Sequence, residues 1–521
     1  MSTNFGFQQA TARDRYSYGY PNRHIAGVRL LVRRQPIDTW IVFATVLASL
    51  AAAWVHSHNA SIWYDEAITL LTASGHAKLN WALGMGQFQP SAHFRTILSE
   101  LYQQDVHPPL YFWTLAVWRV VFGESLEVAR GLSAVFTLGT LVTLYRVATR
   151  LQMKWPSVPV VIYAASAVGL RYAYNARPYA MASFLIVLTL LLALKGSRWT
   201  GVCAAACVAT HYFAALCVVP ILVFECAERW KSNRRWAVVT VASFAICCAP
   251  LLPLLRVHLF ARPQQYPIFG AFPRELWALL KGSMEGAMPS TWLPHWGFAL
   301  CVSACFVALG CWWCRKRGDF LLPFIYLAFL MGFFVLAILT NKSIAKMPTD
   351  YYLGLAVPMV ALLIGFGVNT APRASSLLAA VVVAGTVTSV SMTKSKDYRT
   401  MVQQIRSECP ECPILVGVGY AGAIPACVLY EAKGANVFLL KPQDTVGEAL
   451  ERMGDPTDLV LVPANEPATG RLEREFIQDF PAVERKGYFE IDASRVERKS
   501  RNGLLAEREK VVRPLASGGT F

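Results

Sequence analysis

Long apolar stretches separated by short polar segments constrain the fold of this chain more than any other feature. A helix needs about 20 consecutive apolar residues to cross the hydrocarbon core of a bilayer. The stretches occupy residues 38–55, 126–147, 156–172, 178–195, 199–211, 212–227, 236–255, 294–313, 319–340, 350–370 and 374–392. The pair 199–211 and 212–227 is short and fits either a broken helix or a hairpin. We therefore predict a mainly α, polytopic membrane protein with about 11 transmembrane helices (roughly 10 to 13).

The composition excludes a conventional soluble protein. Of the 521 residues, 55% are apolar and 16% are charged, whereas soluble domains carry about 25% charged residues. The net charge of +16 would suggest a nucleic-acid partner in a soluble protein. In a membrane protein, Lys and Arg accumulate instead in the cytoplasmic loops. We therefore expect the lipid bilayer as a partner, and no nucleic acid.

The Lys and Arg residues of the short loops predict the orientation. If the N-terminal segment 1–37 is cytoplasmic, alternating spans place thirteen loop cations on the same side, as the positive-inside bias requires. They are Arg146, Arg150, Lys154, Lys195, Arg198, Arg229, Lys231, Arg234, Arg235, Arg315, Lys316, Arg317 and Arg373. This scheme gives a membrane domain over 38–392 with its first outer loop at 56–125, and it lays the segment 108–123 along the outer interface. Residues 393–521 are then extracytoplasmic.

Residues 393–521 have a mixed polar composition. Strand-like runs at 414–418, 437–440 and 459–462, with a helix-like stretch at 423–433, predict a small α/β domain followed by a charged tail. Gly417, Gly419 and Gly422 match the spacing of a dinucleotide-binding fingerprint. Lys441 follows the second strand where that motif requires an acid, so we interpret the glycines as a turn.

The cysteines and histidines provide few candidates for metal binding, disulfide formation or catalysis. Ten of the 13 Cys lie between Cys203 and Cys314, in or beside apolar spans, where Cys behaves as a small hydrophobic residue. Cys409 and Cys412 are predicted outside and are the simplest disulfide pair there. His107 and His211 fall at the outer edge of the membrane, where each fits a packing role or a metal or phosphate role.

Two adjacent acids follow the first span, in Trp63-Tyr64-Asp65-Glu66-Ala67. A carboxylate at a membrane surface can serve as a general base. The alternative is a helix start, because acids favour the first turn of a helix. The residues alone do not separate these two interpretations.

Cationic groups recur on the same predicted face. Arg171 and Arg177 lie with three tyrosines, Tyr172, Tyr174 and Tyr179, between two apolar helices. Further clusters contain Lys342 with Lys346 before Tyr351, and Arg256, His258 and Arg262 in the loop 256–293. Arg binds phosphate oxygens through paired N–H groups, although cations at a headgroup boundary also serve as anchors. An acid pair with several cations at one membrane face suggests a reaction on a lipid-linked phosphate.

Four motifs occur in an order typical of one enzyme family. They are Trp63 to Ala67, His107 to Trp113, Phe122 to Ser125 followed by Arg130, and Asn175 to Tyr179. Over about residues 38–392 the chain resembles bacterial GT-C glycosyltransferases of the protein O-mannosyltransferase and aminoarabinose-transferase type. The resemblance implies a GT-C fold with a catalytic membrane domain.

The resemblance also implies residue roles. Asp65 matches the aspartate of the first outer loop that acts as the catalytic base, and Arg177 matches the Arg of the Arg-Pro-Tyr motif. His107 stands where aminoarabinose transferases carry a lysine near the lipid phosphate, and Lys346 with Tyr351 stands where relatives often have an Arg-Tyr pair. The candidate catalytic residues are Asp65 and Glu66; the donor-phosphate candidates are Arg177, Lys346, His107, Arg171 and Tyr179; the substrate candidates are Tyr174, His211, Arg262 and Tyr351.

By this resemblance the expected activity is inverting transfer of a hexose or pentose from a polyprenyl-phosphate donor. The acceptor is an envelope molecule (lipid A, a polysaccharide or a protein) at the outer face of the cytoplasmic membrane. No cofactor is expected, because one or two cations balance a single phosphate, although a divalent cation fits the same chemistry. The alternatives are an O-antigen polymerase or ligase using a lipid diphosphate, and a non-catalytic transporter of lipid-linked sugars.

Overall fold

A computed structural model gives the fold. It describes residues 36–75, 93–103, 106–258, 269–285, 287, 296–317, 320–346, 352–369, 398–417, 427–428, 430–432, 436–440, 445–454, 456–463, 470–480, 482–485 and 488–492. The predicted span 374–392 and the turn after Gly417 lie outside these residues. The predicted tail after Pro481 begins too early, because residues 482–484 and 489–492 are strands of the C-terminal sheet; residues 493–521 lie outside the described residues.

The described residues before 370 are mainly helical. Its helices are α1 (Pro36–Asn59), α2 (Tyr64–Ala73), α3 (Phe94–Gln103), α4 (Leu110–Phe122), α5 (Leu126–Arg150), α6 (Ser157–Ala165), α7 (Ala167–Tyr174), α8 (Tyr179–Leu194), α9 (Thr200–Thr210), α10 (Ala215–Arg229), α11 (Arg234–Cys248), α12 (Leu252–Arg256), α13 (Phe272–Glu285), α14 (Trp296–Arg317), α15 (Leu321–Leu339) and α16 (Val357–Asn369). Short 3-10 turns cover Tyr212–Ala214, Ala249–Leu251, Ile344–Lys346 and Leu353–Ala356.

Four described helices are long and apolar enough to cross a membrane: Ile37–Asn59, Leu126–Arg150, Arg234–Arg256 and Leu321–Leu339. The pair Ala167–Tyr174 and Tyr179–Leu194, bent by 117°, would make a fifth. The chain is thus a multi-pass membrane protein, whereas the expected count of about 11 spans stays a prediction.

The apolar run predicted as one span over 156–172 is interrupted. Ser166 ends α6 and begins α7, because its side chain accepts a hydrogen bond from the N–H of Gly169 while its backbone is extended. A serine that caps a helix start in this way favours a break within an otherwise apolar sequence. The break shortens α7, so that its last residue Tyr174 leads into the turn carrying Arg177.

Tight packing joins the helices into one bundle. The main contacts pair α5 with α8, α14 with α16, α9 with α11, and α10 with α15. At Gly310 in α14 an added methyl group would collide with the carbonyl of Leu363 in α16, so the two backbones touch there. Small residues at helix interfaces permit such close approach in membranes.

Residues 398–492 contain helices α17 (Tyr398–Glu408), α18 (Val446–Arg452) and α19 (Gly470–Asp479) with five strands. The strands are β1 (Ile414–Gly417), β2 (Val437–Leu440), β3 (Asp458–Val462), β4 (Ala482–Glu484) and β5 (Phe489–Asp492). The sheet order is β2-β1-β3-β5-β4, with β2, β1 and β3 parallel and β5 antiparallel to both neighbours. Three of these strands fall where the sequence predicts them.

The central strand β1 is buried on both faces of the sheet. Successive side chains of a strand point to opposite faces, and Ile414 and Val416 belong to the same buried cluster as the helical bundle. Leu415 instead packs with Leu461 and Phe476 in a second, smaller cluster. One face of the sheet therefore continues the core of the membrane domain.

Candidate active site

The adjacent acids Asp65 and Glu66 lie in the first turn of α2, but they have different surroundings. Glu66 is fully buried. Its carboxylate receives two hydrogen bonds from Arg130, from Nε at 2.9 Å and from Nη2 at 2.7 Å. It also accepts the backbone N–H of Ala176 at 2.8 Å and that of Trp63 at 3.2 Å. Glu66 thus ties together α2, α5 and the turn before α8.

Arg130 also binds backbone carbonyls of the chain segment that precedes α2. Its Nη1 donates to the carbonyls of Ser57 and Ala60, both at 2.8 Å, and its Nη2 to that of Ser61 at 3.1 Å. These carbonyls lie at the end of α1 and in the connection to α2, where helix ends leave acceptors unsatisfied. The guanidinium therefore fixes the loop that presents the acid pair.

Asp65 is the accessible member of the pair, with 30% of its side chain exposed. Arg177 lies beside it: Nη2 is 3.8 Å from Oδ2 of Asp65, and Nη1 donates to the Asp65 carbonyl at 3.1 Å. Thr69, one turn further along α2, accepts from Nη1 of Arg177 at 2.6 Å and donates to the Asp65 carbonyl at 2.7 Å. A partly exposed carboxylate and a buried cation thus lie side by side.

The two histidines predicted at the outer edge meet at this cation. Nη2 of Arg177 lies 3.4 Å from Nε2 of His107. Because a guanidinium has no acceptor, His107 must accept through that nitrogen. The rings of His107 and His211 pack edge to face with their centroids 5.3 Å apart. The ring centroids of Tyr179 and His211 are 5.2 Å apart. The Cζ atom of Arg177 also lies 5.8 Å from the centroid of the Tyr179 ring. These predicted residues therefore form one cluster.

The remaining candidates lie outside the cluster around Arg177 or outside the described residues. The ring of Tyr174 stacks on that of His56 with the centroids 4.9 Å apart. Arg171 lies in α7, as Tyr174 does. The backbone of Lys346 belongs to the turn Ile344–Lys346, but its side chain is outside the described residues. Arg262 and Tyr351 are also outside them.

The sequence interpretation missed residues that shape the site. Thr69 and Arg130 were not among the site candidates, although Thr69 lies four residues after Asp65 and hence on the same helix face. Glu275 of α13 holds the segment before Lys346: it accepts from Ser343 Oγ at 2.7 Å and from Ala345 N at 2.9 Å. Burial acts to raise the pKa of Glu275, but these hydrogen bonds outweigh it and the pKa lies below its ordinary value.

Comparisons with known proteins give a family match over part of the chain and a likeness in fold over most of it. The family model of dolichyl-phosphate-mannose-protein mannosyltransferase matches residues 106–253, a range that includes His107, Arg130 and Arg177. The chain is similar in fold to ArnT from Cupriavidus metallidurans in the apo state, with a TM-score of 0.56 and 12% identity over 88% of this chain and 98% of that one. ArnT from Cupriavidus metallidurans bound to undecaprenyl phosphate matches with a TM-score of 0.52 and 14% identity over 88% and 99% of the two chains. No curated protein matches the sequence significantly.

The resemblance to GT-C membrane glycosyltransferases that the motifs indicate is thereby confirmed. The family model supports it in sequence over residues 106–253, and the solved structures support it in fold over most of the chain. Asp65 precedes the matched range, so its assignment rests on the motif and on its position beside Arg177.

Proposed function

We propose that this protein is an inverting glycosyltransferase that moves a hexose or pentose from a polyprenyl-phosphate donor to an envelope acceptor. The observation that carries the proposal is the partly exposed carboxylate of Asp65 beside the buried guanidinium of Arg177. Undecaprenyl phosphate, bound in one of the solved ArnT structures, is a lipid of the proposed class.

The residues have distinct roles in the proposed reaction. Asp65 removes the proton of the acceptor hydroxyl, and the acceptor oxygen attacks the anomeric carbon from the face opposite the phosphate. The bond between the anomeric carbon and the phosphate oxygen breaks, and its electron pair leaves with the lipid phosphate. Arg177, with Lys346 and His107, stabilises the charge on that phosphate. The anomeric configuration is inverted.

The direct test is sugar transfer in membrane vesicles. Vesicles containing the protein should transfer sugar from a polyprenyl-monophosphate donor and not from the corresponding diphosphate. Preference for the diphosphate would indicate a polymerase or ligase instead. Transport of labelled lipid-linked sugar across the vesicle membrane with no transfer would indicate a transporter. Glycan analysis of the cell envelope with and without the gene identifies the acceptor.

Replacing Arg177 by Lys tests the phosphate role. Lysine keeps the charge but loses the planar set of donors that contact Thr69, His107 and the Asp65 carbonyl. We expect a fall in kcat/KM on the order of 10²-fold, as for loss of one group that stabilises developing charge. Steady-state transfer rates at varied donor concentration measure it. Arg198→Lys, on the opposite predicted face, is the matched control and should be unaffected.

Chelation tests the expectation that no metal is required. Among the residues that the structure describes, no three His, Cys, Asp or Glu side chains are grouped to hold an ion. The donor carries a single phosphate, which one or two cations can balance. We expect transfer to continue in EDTA at an unchanged rate. Loss of transfer that one divalent ion restores would instead indicate that His107 and His211 are metal ligands.

We further propose about 11 spans in the inner membrane, with residues 393–521 forming an extracytoplasmic α/β domain that carries the linked pair Cys409–Cys412. Two exposed serines allow a matched test: Ser407 in α17 and Ser232 between α10 and α11. In intact spheroplasts a membrane-impermeant maleimide should label Ser407→Cys and leave Ser232→Cys unlabelled. The reverse result would mean that the predicted orientation is inverted.

A further inference from the structure

The C-terminal unit, the described residues between 398 and 492, contacts the loop that presents the acid pair through Tyr398 and Cys427. The backbone N–H of Tyr398 donates to Oγ of Ser61 at 3.3 Å, and the thiol of Cys427 donates to the carbonyl of Ile62 at 3.9 Å. Ser61 and Ile62 lie between α1 and the acids, three to five residues before Asp65 and Glu66. The C-terminal unit therefore contacts the loop on its own chain that carries the proposed base.

Arg399 forms the charged part of this contact. Its Nη1 donates to Glu127 of α5 at 3.0 Å, and its Nε lies 3.7 Å from Glu431 of the C-terminal unit. Glu127 lies three residues before Arg130, on the same side of α5. Arg399 thus bridges the C-terminal unit and the helix whose Arg130 holds Glu66.

The loop between α1 and α2 is consequently fixed from two sides. Arg130 binds the carbonyls of Ala60 and Ser61 from within the bundle. Tyr398 and Cys427 bind the same stretch from the C-terminal unit, and Ile62 and Cys427 share one continuous buried cluster. The turn carrying Arg177 has an additional anchor in α5, since Ser133 donates to the carbonyl of Asn175 at 2.6 Å.

We propose that Arg399 is a positioning residue, which docks the C-terminal unit on the loop over residues 60–66 and thereby sets the position of Asp65. The inference rests on the proposed function, because it assigns the docking an effect on sugar transfer. A base misplaced by about 1 Å costs on the order of 10²-fold in rate. Arg177 touches the Asp65 carbonyl, but its side chain keeps the contact with Thr69 and its turn keeps the bond to Ser133, so we expect the effect mainly on kcat rather than on KM for the donor.

The first measurement compares steady-state kinetics of four forms of the full-length protein. Arg399→Ala should lower kcat on the order of tenfold, a partial loss of the positioning effect, with KM for the donor unchanged within about twofold. Arg399→Lys should recover most of the rate, because it keeps the cation between Glu127 and Glu431. Arg485→Ala is the control: Arg485 is similarly exposed and pairs with Glu490 within the C-terminal sheet, and this variant should match the wild type.

The second measurement is amide hydrogen exchange over residues 60–66. Arg399→Ala should increase exchange there, whereas Arg485→Ala should not. Unchanged exchange and unchanged kcat in Arg399→Ala would overturn the proposal, as would equal losses in the alanine and lysine variants. If the wild-type protein transfers no sugar from a polyprenyl-phosphate donor, the proposed function fails. The exchange comparison then still decides whether Arg399 docks the loop.

Discussion

Asp65→Asn is expected to abolish sugar transfer while leaving the protein folded. Asparagine has nearly the same shape but cannot take a proton from the acceptor, and loss of a general base typically costs 10²- to 10⁴-fold in rate. The fold should tolerate the change because the Asp65 contacts with Thr69 and with Nη1 of Arg177 use its backbone carbonyl. Among the described residues, the side chain of Asp65 makes one polar contact, the 3.8 Å approach to Nη2 of Arg177.

The measurement is the initial rate of transfer in vesicles, normalised to the amount of folded protein. Glu124→Gln is the matched control, since Glu124 is an exposed acid in the same predicted outer loop. It should transfer at the wild-type rate. The same comparison separates the two interpretations that the sequence leaves open. An acid that served only the start of α2 could be replaced by asparagine with little loss, so full activity in Asp65→Asn would refute the assignment of the base.

Apolar stretches predict the helices well where a helix lies in a single uninterrupted run. The expected spans 126–147 and 178–195 correspond to Leu126–Arg150 and Tyr179–Leu194. The break at Ser166 is not predictable from hydropathy, because one serine within an apolar run is a weak signal until its cap geometry is seen. Strands β4 and β5 are missed as well. Ala482–Glu484 is too short to show a period, whereas Phe489–Asp492 does alternate apolar and polar side chains but lies in the segment interpreted as a charged tail.

For the candidate site, the sequence predicts several of the residues that take part but not how they pair. His107, His211 and the motif with Arg177 and Tyr179 were predicted as three separate features, and the structure brings them together. Residue type alone treats Asp65 and Glu66 alike, since both are acids in one motif, and only the family resemblance singles out Asp65. What separates them is the partner Arg130, which lies 64 residues away from Glu66 in the chain and meets it only in the folded bundle. Burial and long-range pairing are properties of the fold, and neither is visible in the spacing of the motif.

Glu66→Gln is accordingly expected to impair folding, in contrast to Asp65→Asn. Its carboxylate and the guanidinium of Arg130 are almost completely buried, at 0% and 1% side-chain exposure. Breaking a buried ion pair by removing one partner costs about 3–5 kcal/mol, because it leaves an uncompensated buried charge. Arg130→Met should destabilise by a similar amount and also free the carbonyls of Ser57, Ala60 and Ser61.

Thermal inactivation in detergent at a fixed scan rate measures this loss, because membrane proteins commonly unfold irreversibly. Both variants should lose the fold at a clearly lower temperature than Asp65→Asn, and Arg485→Ala, at an exposed ion pair, should not differ measurably from the wild type. The combination Glu66→Gln with Arg130→Met should be less destabilised than the sum of the two, since no unpaired charge remains. Wild-type stability combined with loss of transfer in Glu66→Gln would contradict this structural role and would make Glu66 a participant in the chemistry.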